Sequence, residues 1–260
     1  MNLRGFNRAF INSFQPDIDP AFALPHVDRM TEIRTLTPAE LAAYLDHTLL
    51  KPDATARDIE KLCGEAREHQ FHGVCVNGGW VDHARTLLED SNAKVAAVVG
   101  FPLGTMSGDV KGFETEAAID DGAQEIDVVI NLGRLKDAND KYVLRELRDI
   151  VEAADERPVK VILETGLLSH EEKIRACEIV LESGAQFVKT STGFNSTGAT
   201  LEDVKLLRET VGPKFGVKAS GGIRDTATAL AMIAAGATRL GTSAGVAIVK
   251  GLPTKDAGSY

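Results

Sequence analysis

The sequence predicts a single-domain (β/α)8 TIM barrel of the α/β class, and three observations carry that prediction. Eight short β-branched runs alternate with amphipathic stretches, each interval leaves room for one helix, and no glycine-rich dinucleotide fingerprint follows the first run. A crossover between parallel strands needs about a dozen residues or more, which one helix supplies. The 260 residues, 43% hydrophobic and 26% charged, suffice for one core of this size. An open doubly wound sheet is the structural alternative, and the missing fingerprint argues against it.

Taken in order, residues 1–35 hold no sustained period and include Pro16, Pro20 and Pro25, so they read as an N-terminal extension lying on the barrel or on a partner subunit. Arg4 and Arg8 precede the first acid, Asp17, a weak trace of an organellar presequence, but an appended arm is the preferred reading. The catalytic barrel is expected over 36–250 and a tail over 251–260. It opens at Thr37-Pro38-Ala39-Glu40, where Thr37 caps a helix, Pro38 suits its first turn and Glu40 completes a capping box. Strands are expected over 44–49, 73–76, 94–99, 125–130, 159–164, 187–191, 216–220 and 238–242. Intervening helices are read over 58–68, 171–183, 201–210 and 226–235. Gly122, Gly184 and Gly236 each stand where a helix ends before a strand, which is C-capping chemistry.

Composition narrows the function. A net charge of -9 provides no footprint for nucleic acid or an anionic membrane, so any bound phosphate must be held by a local site. Cys63, Cys75 and Cys177 are too few and too scattered for a disulfide framework or a zinc site, and a reducing cytoplasm is the simplest compartment. No apolar run approaches the roughly 20 residues of a spanning helix, and no signal-peptide core is visible.

A parallel barrel strand is buried on both faces, so its ionisable residues demand explanation. In Glu125-Ile126-Asp127-Val128-Val129-Ile130, alternation sends Ile126, Val128 and Ile130 to the helix layer and Asp127 to the axis. The same parity turns Lys160, Lys189 and Lys218 inward. A purely structural account would pair Asp127 and Glu164 with the three lysines as an ion network. The catalytic account starts from Lys189 and Lys218 lying on adjacent strands, about 4.8 Å apart in the sheet. Two ammonium groups at that range should shed one proton below the reference lysine pKa of about 10.4. The free amine then attacks a carbonyl, and the resulting iminium accepts the electrons of a breaking C–C bond. Asp127 is placed to exchange protons with that intermediate.

Spacing alone does not choose between the two lysines. Lys189 precedes the hydroxyl-rich turn Thr190-Ser191-Thr192-Gly193, suited to orienting a polyol or aldehyde. Lys218 precedes Ala219-Ser220-Gly221-Gly222-Ile223-Arg224, and the last strand ends Gly241-Thr242-Ser243-Ala244-Gly245. These two loops follow strands seven and eight, where barrels often hold phosphate on backbone N–H groups.

The motifs together resemble the deoxyribose-phosphate aldolase family of class I enzymes. The resemblance spans roughly residues 37–250 and rests on Leu45-Asp46-His47-Thr48-Leu49-Leu50, Val74-Cys75-Val76-Asn77, Gly100-Phe101-Pro102-Leu103-Gly104 and Glu125-Ile126-Asp127-Val128-Val129. It continues through Lys160-Val161-Ile162-Leu163-Glu164-Thr165, the Lys189 segment and Gly216-Val217-Lys218-Ala219-Ser220-Gly221-Gly222. It implies cleavage of 2-deoxy-D-ribose 5-phosphate to D-glyceraldehyde 3-phosphate and acetaldehyde, with Lys189 forming the Schiff base and Lys218 and Asp127 transferring protons. It further implies substrate contacts from Asp46, Thr48, Cys75, Lys160, Thr190 and the terminal Tyr260, and phosphate contacts from Gly193, Gly221, Gly222 and Ser243. No cofactor or metal is implied, and a homo-oligomer, dimer or tetramer, is expected. Cys75 also fits a plain apolar filler and no nucleophilic role.

Two departures touch the phosphate site. Phe194 stands where some members carry a lysine, and Ala244 where some have a second serine, so backbone amides and Arg224 carry more of the expected binding. Gly78-Gly79-Trp80 also replaces a proline-containing turn. The rival readings are a barrel sugar-phosphate isomerase or synthase without a covalent adduct, a metal-dependent aldolase, and a non-catalytic carbohydrate binder. The six histidines, His26, His47, His69, His72, His83 and His170, show no ligand pattern, and a mere binder has no use for two buried lysines beside an aspartate.

Overall fold

The computed structural model describes residues 36–195 and 197–251. The expected extension over 1–35, the tail from 252 and Tyr260 lie outside the described residues. Eight parallel strands close in sequence order, β1 (Leu45–Leu49), β2 (Gly73–Val76), β3 (Lys94–Val99), β4 (Glu125–Val129), β5 (Val159–Ile162), β6 (Phe187–Lys189), β7 (Gly216–Ser220) and β8 (Arg239–Thr242). Closure pairs β1 with β8 through Leu45↔Leu240, Asp46↔Gly241 and His47↔Thr242.

β4 stops one residue earlier than the sequence predicts, and β5 and β6 stop two residues earlier. After β5 the backbone turns left-handed at Glu164 (φ 53) and enters a short 3-10 turn, Thr165–Leu167. β6 ends at Lys189, although Thr190 still donates its N–H to Lys218 O at 3.0 Å and its hydroxyl accepts from the Ser220 N–H of β7, and Gly193 (φ 85) turns the chain. Both deviations sit at the C-terminal rim, where barrel loops leave the sheet to build sites.

Helix α1 (Pro38–Ala42) has the expected capping box, with Thr37 accepting from the Glu40 N–H and the Glu40 side chain returning to the Thr37 N–H. The outer ring comprises α2 (Ala56–His69), α3 (Val81–Leu87), α4 (Gly108–Asp120), α5 (Leu132–Lys136), α6 (Asp140–Ala153), α7 (His170–Ser183), α8 (Leu201–Val211), α9 (Thr226–Ala234) and α10 (Gly245–Lys250). Gly184 caps α7 in the left-handed conformation (φ 89), as its position before a strand predicts.

The core divides by strand parity. Ile126, Val128 and Ile130 join the large apolar layer between sheet and helices. Leu50, Cys75, Ala96 and Val98, with Phe101, form a small separate cluster contributed by β1, β2, β3 and their rims. Lys160 pairs directly with Asp127, whereas Lys189 and Lys218 pair with each other one pleat further along, in the row of Val129 and Ile162. The interior is therefore apolar along β2 and β3 and ionic from β4 round to Asp46 of β1.

Candidate active site

Asp127 is fully buried on β4 and meets three ammonium groups. Its Oδ1 accepts from Lys160 Nζ at 2.6 Å, while Oδ2 accepts from Lys189 Nζ at 2.8 Å and Lys218 Nζ at 2.7 Å. Lys218 also donates to Asp46 Oδ2, and Lys160 lies 2.7 Å from Glu125 Oε2. Arg239 Nη1 reaches Asp46 Oδ1 at 3.0 Å and Glu125 Oε2 at 3.1 Å. Parity explains every member: Glu125 shares the face of Asp127, and Arg239 that of Gly241, which turns inward toward Lys218. A Cβ on Gly241 would stand 2.4 Å from Ser220 Oγ and 3.2 Å from Lys218 Cε, so only glycine leaves that space.

The proximity argument for a shared lysine proton is corrected by this arrangement. Two adjacent ammonium groups repel, but here the Asp127 carboxylate bridges them and its attraction offsets that repulsion. Burial alone would lower the Lys218 pKa, but Asp127 and Asp46 hold it above its ordinary 10.5. Lys160 is raised in the same way, against burial, by Asp127 and Glu125. Burial would raise Asp127, yet Lys160, Lys189 and Lys218 hold it well below 3.8. The selective step is instead a charge count. Among the described residues the network sets three carboxylates, Asp46, Glu125 and Asp127, against four cations, Lys160, Lys189, Lys218 and Arg239. Lys160, Lys218 and Arg239 each touch two carboxylates, whereas Lys189 has only a share of Asp127 Oδ2. Lys189 is the surplus cation. It is also 3% exposed where Lys160 and Lys218 are at 0%, so it is the least buried of the three lysines.

The structural account paired both Asp127 and Glu164 with the three lysines; the Asp127 pairing is present, and the Glu164 pairing is absent among the described contacts. The left-handed turn at Glu164 carries its carboxylate to Thr192, whose Oγ1 donates at 2.5 Å. The Thr190 hydroxyl is likewise engaged, donating to Ser220 O at 3.2 Å and accepting from the Ser220 N–H at 3.0 Å. Thr48 Oγ1 donates to Asp46 O at 2.9 Å. Thr165 Oγ1, Ser191 Oγ and Ser220 Oγ are buried hydroxyls without a hydrogen-bond partner among the described residues, which leaves them available to a ligand. Cys75 Sγ lies 4.0 Å from Asp127 Oδ2 within the small apolar cluster. Burial, and then the Asp127 charge, push its thiol pKa up, which suits a filler and not a nucleophile.

Three glycine-bearing loops meet at the rim beyond β6, β7 and β8. Gly193, Gly221 and Gly222 adopt φ of 85, 88 and 79. A Cβ on Gly221 would stand 2.9 Å from the Gly198 Cα and 3.5 Å from the Gly193 Cα, so two of the loops are in backbone contact. Thr242 Oγ1 donates to Ile223 O at 2.7 Å and ties in the third, which presents the exposed Ser243. Phe194 leans edge-on against Phe101, with ring centroids 5.2 Å apart at 89°. Aromatic packing thus takes the place that a phosphate-binding lysine holds in some of the resembling proteins.

Asp46, His72 and Glu125 offer ligand atoms within 4.8 Å of one another, a grouping that histidine spacing in the sequence did not reveal. Both carboxylates already accept from Arg239, and Glu125 also from Lys160, so a cation there would have to displace a guanidinium.

Residues 41–251 match the DeoC/LacD family aldolase profile. A deoxyribose-phosphate aldolase of Alkaliphilus oremlandii is 60% identical over 210 residues, covering 80% of this chain and 95% of the relative. Among solved structures, an aldolase designated QR15 superposes with a TM-score of 0.79 at 42% identity, covering 81% of this chain and 95% of the other. The deoxyribose phosphate aldolase of Aeropyrum pernix, described as a unique tetramer, has a TM-score of 0.77 at 35% identity, covering 82% and 91%.

Proposed function

The chain belongs to the DeoC/LacD aldolase family, and from that premise we propose that it is a class I deoxyribose-phosphate aldolase in which Lys189 carries the substrate. It cleaves 2-deoxy-D-ribose 5-phosphate reversibly to D-glyceraldehyde 3-phosphate and acetaldehyde. The observation that carries the assignment of Lys189 is its place as the surplus cation of a network with three carboxylates and four cations.

The neutral Lys189 amine attacks the C1 aldehyde, and the carbinolamine loses water to give an iminium. Removal of the C3 hydroxyl proton lets the C2–C3 bond break, with its electrons flowing into the iminium to leave an enamine. Glyceraldehyde 3-phosphate departs, the enamine takes a proton at C2, and water releases acetaldehyde from the second iminium. Asp127 and Lys218 are the proposed carriers of these protons, supported by their 2.7 Å contact beside Lys189. Asp46, Thr48, Cys75, Lys160 and Thr190 are proposed to shape the pocket, with Asp46 and Lys160 acting through Lys218 and Asp127. The left-handed glycines Gly193, Gly221 and Gly222, with Ser243, form the proposed phosphate cradle.

A homo-oligomer in the cytoplasm is the proposed setting, supported by the tetrameric Aeropyrum pernix relative and by Cys63, Cys75 and Cys177 standing unpaired. The test is cleavage of deoxyribose 5-phosphate against unphosphorylated deoxyribose. The phosphorylated sugar is expected to react with the larger kcat/KM through a lower KM, and equal efficiency on both would remove the phosphate cradle from this account.

A further inference from the structure

The floor of the barrel, opposite the rim loops, carries an ionic layer that the aldol steps do not use. Glu125, the first residue of β4, lies 2.7 Å from Lys160 Nζ, 3.1 Å from Arg239 Nη1 and 3.1 Å from His72 Nε2. Arg239, the first residue of β8, also packs its guanidinium 5.5 Å over the Phe187 ring at the start of β6. The His72 side chain is 29% exposed and brings the layer to solvent. A hydrogen-bonded chain therefore runs from His72 through Glu125 and Lys160 to Asp127 Oδ1.

We propose that Glu125 is a positioning residue for the aldol chemistry: it holds Lys160 from below, so that Asp127 keeps Oδ1 on Lys160 and presents Oδ2 to Lys189 and Lys218. The physical need is clear from the partners. Lys160 is fully buried and its ammonium is divided between two carboxylates at 2.6 and 2.7 Å. Without the Glu125 charge, Lys160 has only Asp127 to lean on and draws that carboxylate toward the floor. The cation excess around the reacting amine also grows from one (four against three) to two (four against two).

This inference rests on the Schiff-base reading above, and its test separates the two. Failure of wild-type protein to form a reducible adduct with acetaldehyde removes the Schiff-base reading, whereas the positioning role is read from variants compared with wild type. In the full chain, Glu125→Gln is expected to lower kcat by about 10-fold or more with KM changed less than about 2-fold, since a shift of about 1 Å in a catalytic group costs up to about 100-fold. The acid limb of the pH–kcat/KM profile is expected to move down by about one pH unit. Adding Arg239→Gln restores a cation excess of one, three against two, and is expected to return that limb to its wild-type position, a reversal that a merely structural role does not produce. Wild-type kcat and pH profile in Glu125→Gln, or a limb that Arg239→Gln leaves displaced, would overturn the proposal. Should Glu125→Gln not fold, Glu125→Asp decides, because it keeps the charge but withdraws it by one methylene. Its kcat is expected to fall by about 5-fold or more with the limb in place, and an unchanged kcat overturns the proposal.

Discussion

Asp127 has two carboxylate oxygens and three ammonium partners, and the division of those contacts is what makes one lysine different from the others. Asp127→Asn preserves shape while removing the charge that all three ammonium groups face. Steady-state kinetics should show kcat reduced by about 100-fold or more, the lower bound of the usual range for a proton-transferring group. Cys75 should behave in the opposite manner. Its buried thiol, held above the ordinary 9.0 by burial, should resist iodoacetamide in the native protein, and Cys75→Ala should keep at least about half of wild-type turnover. Alternation along a strand made Asp127, Lys160, Lys189 and Lys218 readable as inward groups before any coordinates. The same rule applied to Glu125 and Arg239 would have found the floor layer, but both open their strands, where inward burial is harder to foresee than at a strand centre. The ion-network reading set Asp127 beside the three lysines, but how its two oxygens divide them depends on side-chain reach across the barrel. Glu164 escaped parity altogether once the backbone turned left-handed beneath it.

At the scale of elements, helix α4 docks on the barrel through a buried ion pair that no period reveals. Lys111 is fully buried and donates to Glu146 Oε1 of α6 at 2.7 Å and to Val129 O at 2.8 Å. Burial pushes the Lys111 pKa down and the Glu146 pKa up, the two directions that mark a pair held at a desolvation cost. Lys111→Met should cost about 3–5 kcal/mol in urea unfolding, because it leaves a buried carboxylate alone, and adding Glu146→Leu should recover much of that loss. The rim loops allow a sharper test. Gly221→Ala places a Cβ against the Gly198 backbone at φ 88, so it should raise KM for the phosphorylated sugar far more than for deoxyribose, as measured in parallel assays. Strands were legible to within one or two residues at most ends, and the capping box at Thr37 held to the residue. The early ends of β5 and β6 were not legible, since they follow from a left-handed residue at Glu164 and a glycine turn at Gly193 that the apolar runs do not announce.

For the whole molecule, the interior network ties stability to pH from both sides. Asp46, Glu125 and Asp127 have folded pKa values depressed below their ordinary 3.8, 4.5 and 3.8, burial being outweighed by the neighbouring cations. Their contribution is therefore complete above those ordinary values and is lost as the pH falls through the lower folded ones. Lys160 and Lys218, raised above 10.5 by their carboxylates, contribute fully below 10.5 and lose that contribution as the pH climbs through their folded values. Urea midpoints should accordingly decline below about pH 4.5 and again above about pH 10.5. The barrel itself follows from alternating runs and helix-length intervals, which is why its architecture was the most legible part of the sequence. The central claim concerns a single nitrogen within it. Wild-type protein incubated with acetaldehyde and reduced with borohydride should gain one ethyl group, about 28 Da, located by peptide mass spectrometry on Lys189; an unmodified Lys189, or the adduct on Lys218, would contradict the account.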